Sequence, residues 1–559
     1  MKATEYLIKK FILEGVNHLF MVPGFHVDPF MSAFKSFSGF TAIVAGHEGG
    51  AAFMADGYAK VSGRFGVSLG IGGPGVTNMM TGITTAYSDK TPVFIITGDT
   101  ELDLQGRGSF QDTTPSNFNA NAFLTSVTNE ALVVTHPDTI GPHVDSLFRN
   151  MLGTNRGPVQ VTFPADMQKA EVNLKLHQLP SSLYYPQILD IECANQIWNV
   201  LQNATHIAIL AGMGCLNAEA TDELIEFAET FEIPVATTLG GKSVFPEDHH
   251  LSLGVFGWFG NPRAMETLLS DQVEVLIVLG SRLNQVSTAK WSSKFLPSKA
   301  LIINDINENS YFGNFQPDLF ILGDNKTFLK NLNQSNQHAI LNATLLKRRE
   351  WVKKISQINP NFYDIENMFS NKIPIHPARV IKELRNVMPK NTILFSGEGV
   401  SGFIASHYWT CYGPREHFSQ VKSMSPMGWS IAAAIGGKCA APHIPVVSII
   451  GDGSMLMHGL EIQTAQRYHL PIMFVLIDNQ AHGNPQLRAR QIGEFETKFL
   501  ELPAHNWAKI AEGLGLKGFT VTDPEKLAET FSHAFSLNEP VLIHIKARNC
   551  STPVKVSPF

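Results

Sequence analysis

The stretch Gly451-Asp452-Gly453-Ser454 follows a short apolar run at 446–450, and a second apolar run at 472–477 ends at Asp478-Asn479. A segment with helical periodicity, 456–468, lies between the two runs. Strand, helix and strand in this order predict a βαβ unit with two parallel strands. Ligands bind beyond the carboxyl ends of such strands, and glycines allow the backbone to turn tightly there. The sequence therefore predicts a ligand site at this sheet edge.

Asp452 and Asn479 are the side chains that this edge offers to a ligand. A carboxylate and an amide carbonyl are hard oxygen donors, which suit a magnesium ion bound to a diphosphate. The alternative interpretation is a strand-end aspartate with an unrelated asparagine. The strand–helix–strand context favours the metal–diphosphate site over that coincidence.

The composition is that of a globular protein. The 559 residues are 44% hydrophobic and 16% charged, and a chain of this length suggests about three domains. The net charge is −6 and no run is rich in lysine or arginine, so we expect neither nucleic acid nor a membrane surface as a partner. Five dispersed cysteines without a CxxC pair favour a reducing compartment. Residues 1–15 have the pattern of an amphipathic helix and not of a signal peptide, so we expect a cytoplasmic protein.

Short apolar runs alternate with helical patterns in three blocks of the chain, which is typical of α/β domains built on parallel sheets. We place the blocks at residues 1–170, 187–335 and 374–548, with a polar stretch at 173–186 as the first linker. The predicted strands lie at 18–22, 41–44, 65–71, 93–97 and 159–163 in the first block, at 206–210, 234–238, 273–279, 300–304 and 318–322 in the second, and at 392–395, 446–450, 472–477 and 541–546 in the third.

A second informative stretch surrounds Glu48, which lies between an apolar strand and a helix of small residues. Small residues let that helix pack closely against a neighbour, often a partner subunit. The Glu48 carboxylate either complements the dipole of its helix or is a buried group that trades a proton with a ligand nitrogen. The sequence leaves both interpretations open. The glycine-rich turn at 72–75, with Asn78 after it, follows a predicted strand and would let a flat ligand lie on the backbone.

Together these stretches resemble the signatures of the thiamine diphosphate-dependent enzymes of the acetolactate synthase, benzaldehyde lyase and 2-hydroxyacyl-CoA lyase type. Asp452 and Asn479, which are 27 positions apart, are similar to the metal–diphosphate motif of that superfamily. The Glu48 helix and the loop at 73–78 are similar to its pyrimidine-side motif. The resemblance runs over essentially the whole chain, including residues 245–254 of the middle block.

The resemblance implies three doubly wound parallel-sheet domains: a pyrimidine-binding domain at 1–170, a central Rossmann-like domain at 187–335 and a diphosphate-binding domain at 374–548. It implies a homodimer or homotetramer whose active sites lie at the subunit interface. It also implies thiamine diphosphate and Mg²⁺ as cofactors, with the metal held by Asp452, Asn479 and the main-chain carbonyl of Ala481. The residues implied to bind thiamine diphosphate are Glu48, Pro74, Asn78, Gly397, Glu398, Gly399, Met427, Gly453, Ser454 and Asn479.

The implied activity is the making or breaking of a carbon–carbon bond next to the carbonyl of a 2-keto acid, a 2-hydroxy ketone or a 2-hydroxyacyl compound. The implied catalytic residues are Glu48, which exchanges a proton with the cofactor, His26, which touches the substrate oxygen, and Gln111, which matches a family glutamine. The alternative for His26 is a residue that caps a helix or faces solvent. The alternatives for the chain are an acetolactate synthase-type transferase that condenses two pyruvates, a flavin-linked 2-oxo acid oxidase and a non-catalytic cofactor-binding homologue.

Four departures separate the chain from a strict acetolactate synthase. Those enzymes have an apolar residue where this chain has His26, a lysine-containing segment where it has 123–126, an FDDR-type sequence where it has 283–286, and a tryptophan that 484–488 lacks. The departures favour a lyase or carboligase outside the strict acetolactate synthase group. They also weigh against a bound flavin. The resemblance allows FAD or ADP in the central domain, but neither nucleotide is favoured.

Overall fold

The computed structural model describes residues 1–335, 340–359, 361–420, 424–493 and 496–550. They form three six-stranded sheets, and each pairing between named strands is parallel. Helices flank each sheet, so the predicted three-domain α/β fold is confirmed. No helix in the described part of the chain is long and apolar enough to cross a membrane.

The first sheet has the strand order β2-β1-β3-β4-β6-β5. Its strands are β1 (His18–Met21), β2 (Thr41–Val44), β3 (Gly66–Gly70), β4 (Val93–Asp99), β5 (Glu130–Val133) and β6 (Val159–Pro164). Its helices are α1 (Ala3–Leu13), α2 (Asp28–Phe34), α3 (Glu48–Ser62), α4 (Pro74–Asp89), α5 (Ala120–Thr125), α6 (Ile140–Leu152) and α7 (Ala165–Lys169). The predicted linker at 173–186 is not a free tether, because it contains α8 (Ser181–Tyr184), whose buried Tyr184 donates its hydroxyl to Glu14 Oε2 at 3.1 Å.

The central sheet has the order β12-β11-β10-β7-β8-β9, in which the first three strands of the domain lie on one side and the last three on the other. This is the arrangement of dinucleotide-binding domains. Its strands are β7 (Ile207–Ala211), β8 (Val235–Thr238), β9 (Ser252–Phe256), β10 (Val275–Leu279), β11 (Ala300–Asp305) and β12 (Leu319–Leu322). Its helices are α9 (Ile191–Asn195), α10 (Ile197–Leu201), α11 (Met213–Asn217), α12 (Thr221–Phe231), α13 (Pro262–Leu268), α14 (Asn325–Gln334) and α15 (Asn342–Ser356).

The third sheet has the order β14-β13-β15-β16-β18-β17, which repeats the order of the first sheet with each strand twelve places later. The first and third domains therefore share one topology. The strands are β13 (Ile393–Ser396), β14 (His417–Ser419), β15 (Val446–Gly451), β16 (Ile472–Asp478), β17 (Lys517–Val521) and β18 (Val541–Lys546). The helices are α16 (Pro377–Val387), α17 (Gly399–Tyr408), α18 (Trp429–Ala440), α19 (Asp452–His458), α20 (Ile462–Arg467), α21 (Gly483–Ile492), α22 (Trp507–Gly513) and α23 (Leu527–Ser536).

Each predicted strand is present, but four strands were not predicted: β5, β9, β14 and β17. All four lie at a sheet edge. An edge strand has only one neighbouring strand and carries less apolar sequence, which fits β5 and β17 because they are largely half-buried or exposed. It does not fit β9, which is buried throughout. The predicted helix at 456–468 was too short, because α19 begins at Asp452 and continues through a 3-10 turn (Gly459–Glu461) into α20.

Helix α3 packs against α18 of the same chain, and this contact joins the first domain to the third. A Cβ atom at Gly57 would lie 2.1 Å from the Ala433 carbonyl oxygen, and one at Gly436 would lie 1.8 Å from that of Met54. The two backbones therefore touch, which explains the small residues of both helices. The helix of small residues after Glu48 thus finds a close neighbour within its own chain.

Candidate active site

Asp452 lies at the carboxyl edge of the third sheet, directly after β15. The neighbouring strand β16 ends one residue before Asn479, and β15 and β16 are paired up to Gly451 and Ile477. Asp452 is the first residue of α19 and is only 5% exposed. Its Oδ1 accepts the Gly453 N–H at 3.0 Å, and its Oδ2 accepts the Ala481 N–H at 3.2 Å. These bonds fix the carboxylate at the strand end.

The side-chain oxygen of Asn479 points at two other oxygen atoms. It lies 3.0 Å from the Ala481 carbonyl oxygen and 3.2 Å from Asp452 Oδ1, while Asn479 Nδ2 donates to Asn549 Oδ1 at 3.2 Å. An Asn479 amide turned by 180° would donate its NH₂ group to both oxygens, which is the arrangement that suits a site without a cation, whereas the oxygen-inward orientation places three acceptors together. Three such acceptors repel one another, and a bound cation removes that repulsion. The three predicted metal ligands are therefore brought together, and their oxygen chemistry fits Mg²⁺. Among the described residues no group of three or more His, Cys, Asp or Glu side chains forms a metal site.

Asp478, beside the metal-ligand candidates, has a separate role. Its Oδ2 receives His544 Nε2 at 2.7 Å and Lys546 Nζ at 2.6 Å. Burial opposes ionisation of Asp478, but these two hydrogen bonds outweigh it and lower its pKa to about 2. Burial and the Asp478 charge together raise the pKa of Asp452 to about 7. Asp452 thus lacks the countercharge that Asp478 has.

A cleft of about 110 Å³ opens beside Asp452, and we call it the Asp452 cleft. Besides Asp452, its lining includes seven of the residues predicted to hold the cofactor or its metal: Glu398, Gly399, Met427, Gly453, Ser454, Asn479 and Ala481. Gly397 lies behind it, against the Ile449 carbonyl oxygen. A Cβ at Gly453 would lie 2.8 Å from the Met427 methyl carbon, so a side chain at this position would displace the end of Met427.

Glu48 lies at the corresponding edge of the first sheet, as the first residue of α3. The Gly49 N–H donates to the His47 side chain at 3.0 Å, which caps the helix. Glu48 is 8% exposed, and its Oε2 accepts Asn78 Nδ2 at 2.9 Å. A buried carboxylate held by a side-chain donor matches the second of the two interpretations, although Glu48 also sits at a helix start.

Gln111 and Pro74 belong to the same edge. Pro74 is the first residue of α4, which carries Asn78. Gln111 has a left-handed backbone, with φ of 55°, and it packs against Gly72 and Gly73. The structure therefore brings Glu48, Pro74, Asn78 and Gln111 to the carboxyl edge of the first sheet.

His26 is 1% exposed and lies against Gly98 near the end of β4. Its side chain caps no helix and does not face solvent, so both alternatives for His26 are wrong. Within the described residues neither ring nitrogen has a hydrogen-bond partner of good geometry. Burial lowers its pKa, although Asp99 and the Phe110 backbone oppose the shift. His26 is among the residues that line a cavity of about 430 Å³, and the lining includes neither Glu48 nor Gln111.

Glu461 is a site residue that the sequence analysis missed. It belongs to the third domain, is buried, and accepts the Gly46 N–H through Oε1 at 2.7 Å. Gly46 precedes the Glu48 helix, so the third domain of a chain holds the start of that helix in the same chain. No local motif marks this contact, because 415 residues separate its partners. His544 and Lys546 were also missed, although their alternation on one strand places both on the same side as Asp478.

The central domain has a cleft of about 180 Å³ at the carboxyl edge of its sheet. Glycines at 214 and 280 line it, together with Arg282, Asp305 and Asp324, and Arg156 reaches it from the first domain. Burial raises the pKa of Asp305 and of Asp324. This edge is where nucleotides bind in such sheets. The absence of a bound flavin stays a prediction.

Three protein-family models match the chain. They are the N-terminal TPP binding domain, the central domain and the C-terminal TPP binding domain of thiamine pyrophosphate enzymes, at residues 1–120, 194–332 and 397–545. Thiamine pyrophosphate is another name for thiamine diphosphate.

Curated relatives align over nearly the full length of the chain. A probable acetolactate synthase large subunit of Methanocaldococcus jannaschii is 32% identical over 98% of this chain and 92% of its own length. A sulfoacetaldehyde acetyltransferase of Alcaligenes xylosoxydans xylosoxydans is 28% identical over 96% of this chain and 91% of its own length. A glyoxylate carboligase of Escherichia coli O157:H7 is 28% identical over 97% of this chain and 92% of its own length. By its matched domains and its relatives, the chain belongs to the thiamine pyrophosphate enzymes and is an acetolactate synthase-like enzyme of that family.

Proposed function

We propose that the chain uses thiamine diphosphate and Mg²⁺ to make or break a carbon–carbon bond next to a carbonyl group. The observation that carries this proposal is the convergence of oxygen atoms from Asp452, Asn479 and Ala481 at the carboxyl edge of the third sheet. In this assignment those three residues hold Mg²⁺. The residues that hold the cofactor itself are Glu48, Pro74, Asn78, Gly397, Glu398, Gly399, Met427, Gly453, Ser454 and Asn479.

Bound thiamine diphosphate supplies an electron sink for the carbanion that forms when a bond beside a carbonyl breaks. The chain supplies the proton exchange and the position of the reactants. Asn78 fixes one Glu48 oxygen at 2.9 Å, which leaves the other oxygen to exchange a proton with a ligand nitrogen. Met427, which lines the Asp452 cleft, would pack against the bound cofactor. We assign Gln111 and His26 to contacts with the substrate.

A 2-oxo acid is the substrate class that the relatives support best. Two of them are named for acetolactate synthesis and glyoxylate carboligation, and both align over almost the whole chain. We therefore propose a carboligase or decarboxylase that acts on small 2-oxo acids. Cleavage of a 2-hydroxy ketone or a 2-hydroxyacyl compound is the second candidate, and the buried, unpartnered ring of His26 favours it because a lyase needs a group on the hydroxyl oxygen.

Product identification separates these candidates. The protein is loaded with Mg²⁺ and thiamine diphosphate and incubated in parallel with pyruvate, glyoxylate, benzoin and a 2-hydroxyacyl-CoA. We expect a coupled or decarboxylated product from at least one of the two 2-oxo acids. Cleavage of benzoin or of the acyl-CoA alone favours the lyase, and no product from any substrate despite bound cofactor contradicts the proposed function.

We propose further that two subunits complete each active site. The Asp452 cleft is lined by third-domain residues alone within the described ranges, and Glu48 is not among them. Large apolar side chains are exposed near both sheet edges, namely Phe25 and Phe110 on the first domain and Leu456 and Leu460 on the third. A second copy would cover these surfaces and bring Glu48 of one subunit to the Asp452 cleft of the other, in a homodimer or a homotetramer.

Complementation between inactive variants tests this arrangement. Glu48→Gln and Asp452→Asn each inactivate a separate half of the site. When the two variant proteins are unfolded, mixed and refolded together, mixed dimers contain one intact site, so activity should return. Refolding of each variant alone is the control. No recovery in mixed dimers, or a monomer in light scattering of the active protein, contradicts a shared site.

The remaining assignments are also proposals. We place the pyrimidine-binding, central and diphosphate-binding domains at 1–170, 187–335 and 374–548. The five cysteines are unpaired, which supports a reducing location such as the cytoplasm. We propose that the central cleft carries no flavin, and an absorption spectrum of the purified protein without flavin bands is the expected result.

A further inference from the structure

Glu398 is the ionisable residue of the Asp452 cleft whose side chain is least explained by its contacts. It occupies the N-cap position of α17, yet its side chain makes no capping hydrogen bond. It is 5% exposed and lines the cleft with Asp452, Gly453 and Ser454. Among the described residues neither of its carboxylate oxygens has a hydrogen-bond partner of good geometry. A buried carboxyl without a well-formed hydrogen bond, in the lining of a cleft, is placed to bond a ligand that fills the cleft.

The surroundings of Glu398 disfavour its charge. Burial raises its pKa to about 8, and the backbone N–H groups of Glu398 and Gly428 offset only part of that rise. No salt bridge joins Glu398 to a described cation, although the Arg548 guanidinium lines the same cleft and its Nε is also without a partner. The ionisable side chains that line the cleft from the other elements are Asp452, His482 and Arg548.

We propose that Glu398 binds the diphosphate of the ligand as a neutral carboxylic acid, donating its O–H to a phosphate oxygen. This inference rests on the proposed function, because it takes the cleft to be the diphosphate site. An ionised Glu398 beside a diphosphate would repel it. A neutral acid instead offers a hydrogen bond to a charged acceptor, which is stronger than a bond between two neutral groups.

Binding of the diphosphate is then linked to one proton on Glu398. Above the pH at which Glu398 ionises in the free protein, affinity for the ligand should fall by about tenfold for each pH unit. Glu398→Gln keeps a neutral side chain with an N–H donor of similar shape. The variant should bind the ligand with nearly the same affinity as the wild type at neutral pH. Its affinity should not fall at alkaline pH.

Calorimetric titration of the cofactor-free protein tests the linkage. Thiamine diphosphate with Mg²⁺, and inorganic pyrophosphate with Mg²⁺, are titrated between pH 6.5 and pH 9.5 into the wild type, Glu398→Gln and Glu416→Gln. Glu416 is a matched control, since it is a buried glutamate of the same domain whose pKa burial raises to about 7, and it lies outside the cleft lining. We expect the decline with both ligands in the wild type and in Glu416→Gln, and its loss in Glu398→Gln.

The outcomes separate this inference from the proposed function. A wild type that binds thiamine diphosphate with the same pH dependence as Glu398→Gln overturns the role of Glu398 and leaves the proposed function intact. A linkage seen with thiamine diphosphate but not with pyrophosphate overturns the contact with phosphate. A wild type that binds neither ligand overturns both.

An infrared measurement tests the neutral acid without any ligand. The wild-type minus Glu398→Gln difference spectrum at pH 7 should contain the carbonyl band of a protonated carboxylic acid. This band should disappear above pH 9, while a Glu416→Gln difference spectrum serves as the reference. A wild type that has only carboxylate bands at pH 7 contradicts the inference even if the Gln variant binds poorly.

Discussion

The first and third domains have the same strand order but place different chemistry at the carboxyl edge of their sheets. In both, a strand is followed by a helix whose first residue is acidic: Glu48 after β2 and Asp452 after β15. Glu48 receives a hydrogen bond from the amide of Asn78. Asp452 instead faces the oxygen of Asn479. The two acids follow non-equivalent strands, because β15 corresponds to β3 and not to β2. The carboxyl edge of the sheet therefore determines where a site forms, and the partner of the acid determines whether it handles a proton or a cation.

The asparagines make this difference concrete. Asn78 donates its NH₂ group to the carboxylate of Glu48. Asn479 instead directs its oxygen toward the carboxylate of Asp452 and donates its NH₂ group to Asn549. An amide contains both a donor and an acceptor, so its neighbours decide which end is used. Asn549 thus orients Asn479 toward the cation site.

The largest expected effect comes from the acid of the first domain. Glu48→Gln removes the exchangeable proton but keeps the shape and the contact with Asn78. We expect turnover to fall by about 10²–10⁴-fold, the usual contribution of general acid–base catalysis, with the fold unchanged. Steady-state kinetics and circular dichroism measure the two quantities.

Glu529 offers a matched control, because it lies in the first turn of α23 but its side chain is 73% exposed. Glu529→Gln removes the same charge from a helix start and should leave turnover unchanged. Near-normal turnover in Glu48→Gln would mean that Glu48 only complements the dipole of its helix. The claim that the first domain handles a proton and the third a cation would then be wrong.

The acid of the third domain should affect cation binding. Asp452→Asn removes the only carboxylate among the three converging ligands, so affinity for Mg²⁺ in the presence of thiamine diphosphate should fall by at least roughly tenfold. The thermal stabilisation of the protein by the cofactor pair should shrink accordingly. Titration of Mg²⁺ at fixed cofactor concentration measures the affinity, and thermal unfolding with and without the cofactor pair measures the stabilisation.

Asp305 provides the control for this variant, since it is also a buried strand-end aspartate, but in the central sheet. Asp305→Asn should leave the Mg²⁺ titration unchanged. An Asp452→Asn protein that retains wild-type Mg²⁺ affinity would show that the converging oxygens are not a cation site.

The contact between the two domains gives a third prediction. Gly436→Ala places a methyl group against the Met54 carbonyl oxygen, where a Cβ has only 1.8 Å. We expect the overpacking to destabilise the protein by about 1–3 kcal/mol. Gly513, the last residue of α22, has no atom within 4 Å of its Cβ position, so Gly513→Ala should be neutral or mildly stabilising. Equal denaturation midpoints for the two variants would contradict close backbone packing of α3 on α18.

Much of this arrangement follows from local sequence. Buried parallel strands are continuous apolar runs, so β15 and β16 are recognisable in the amino-acid sequence alone, and the acid and amide at their ends must then lie at one edge. The predicted ligands Asp452, Asn479 and Ala481 are within a few residues of those strand ends, which is why the sequence places them together.

Features that depend on distant segments were not predicted. The Gly46–Glu461 bond joins residues 415 positions apart, and nothing in either segment marks the other. The shared topology of the first and third domains was also invisible, because the edge strands β5, β14 and β17 have weak apolar patterns. The environment of Glu398 was not predicted either, because Gly428 and Ser454, which contribute to it, come from separate elements.

The smallest expected effect compares the two buried glutamates, Glu48 with its donor Asn78 and Glu398 without one. A glutamate in the unfolded chain has a pKa of about 4.3. In the folded protein, burial raises the pKa of Glu398 to about 8. Between these values the folded state binds more protons than the unfolded state, so this group makes the cofactor-free protein less stable as pH rises. The loss is at most about 1.4 kcal/mol for each pH unit within that window.

Glu398→Gln removes this linkage, so the variant should gain stability relative to the wild type as pH rises from 6 to 8. Thermal unfolding of the two cofactor-free proteins at several pH values measures the gap, and for a chain of this size it should amount to a few degrees. Glu48→Gln, whose parent carboxylate has a hydrogen-bond donor, is the comparison variant. A gap between wild type and Glu398→Gln that stays constant with pH would mean that Glu398 ionises freely, and it would contradict the neutral acid.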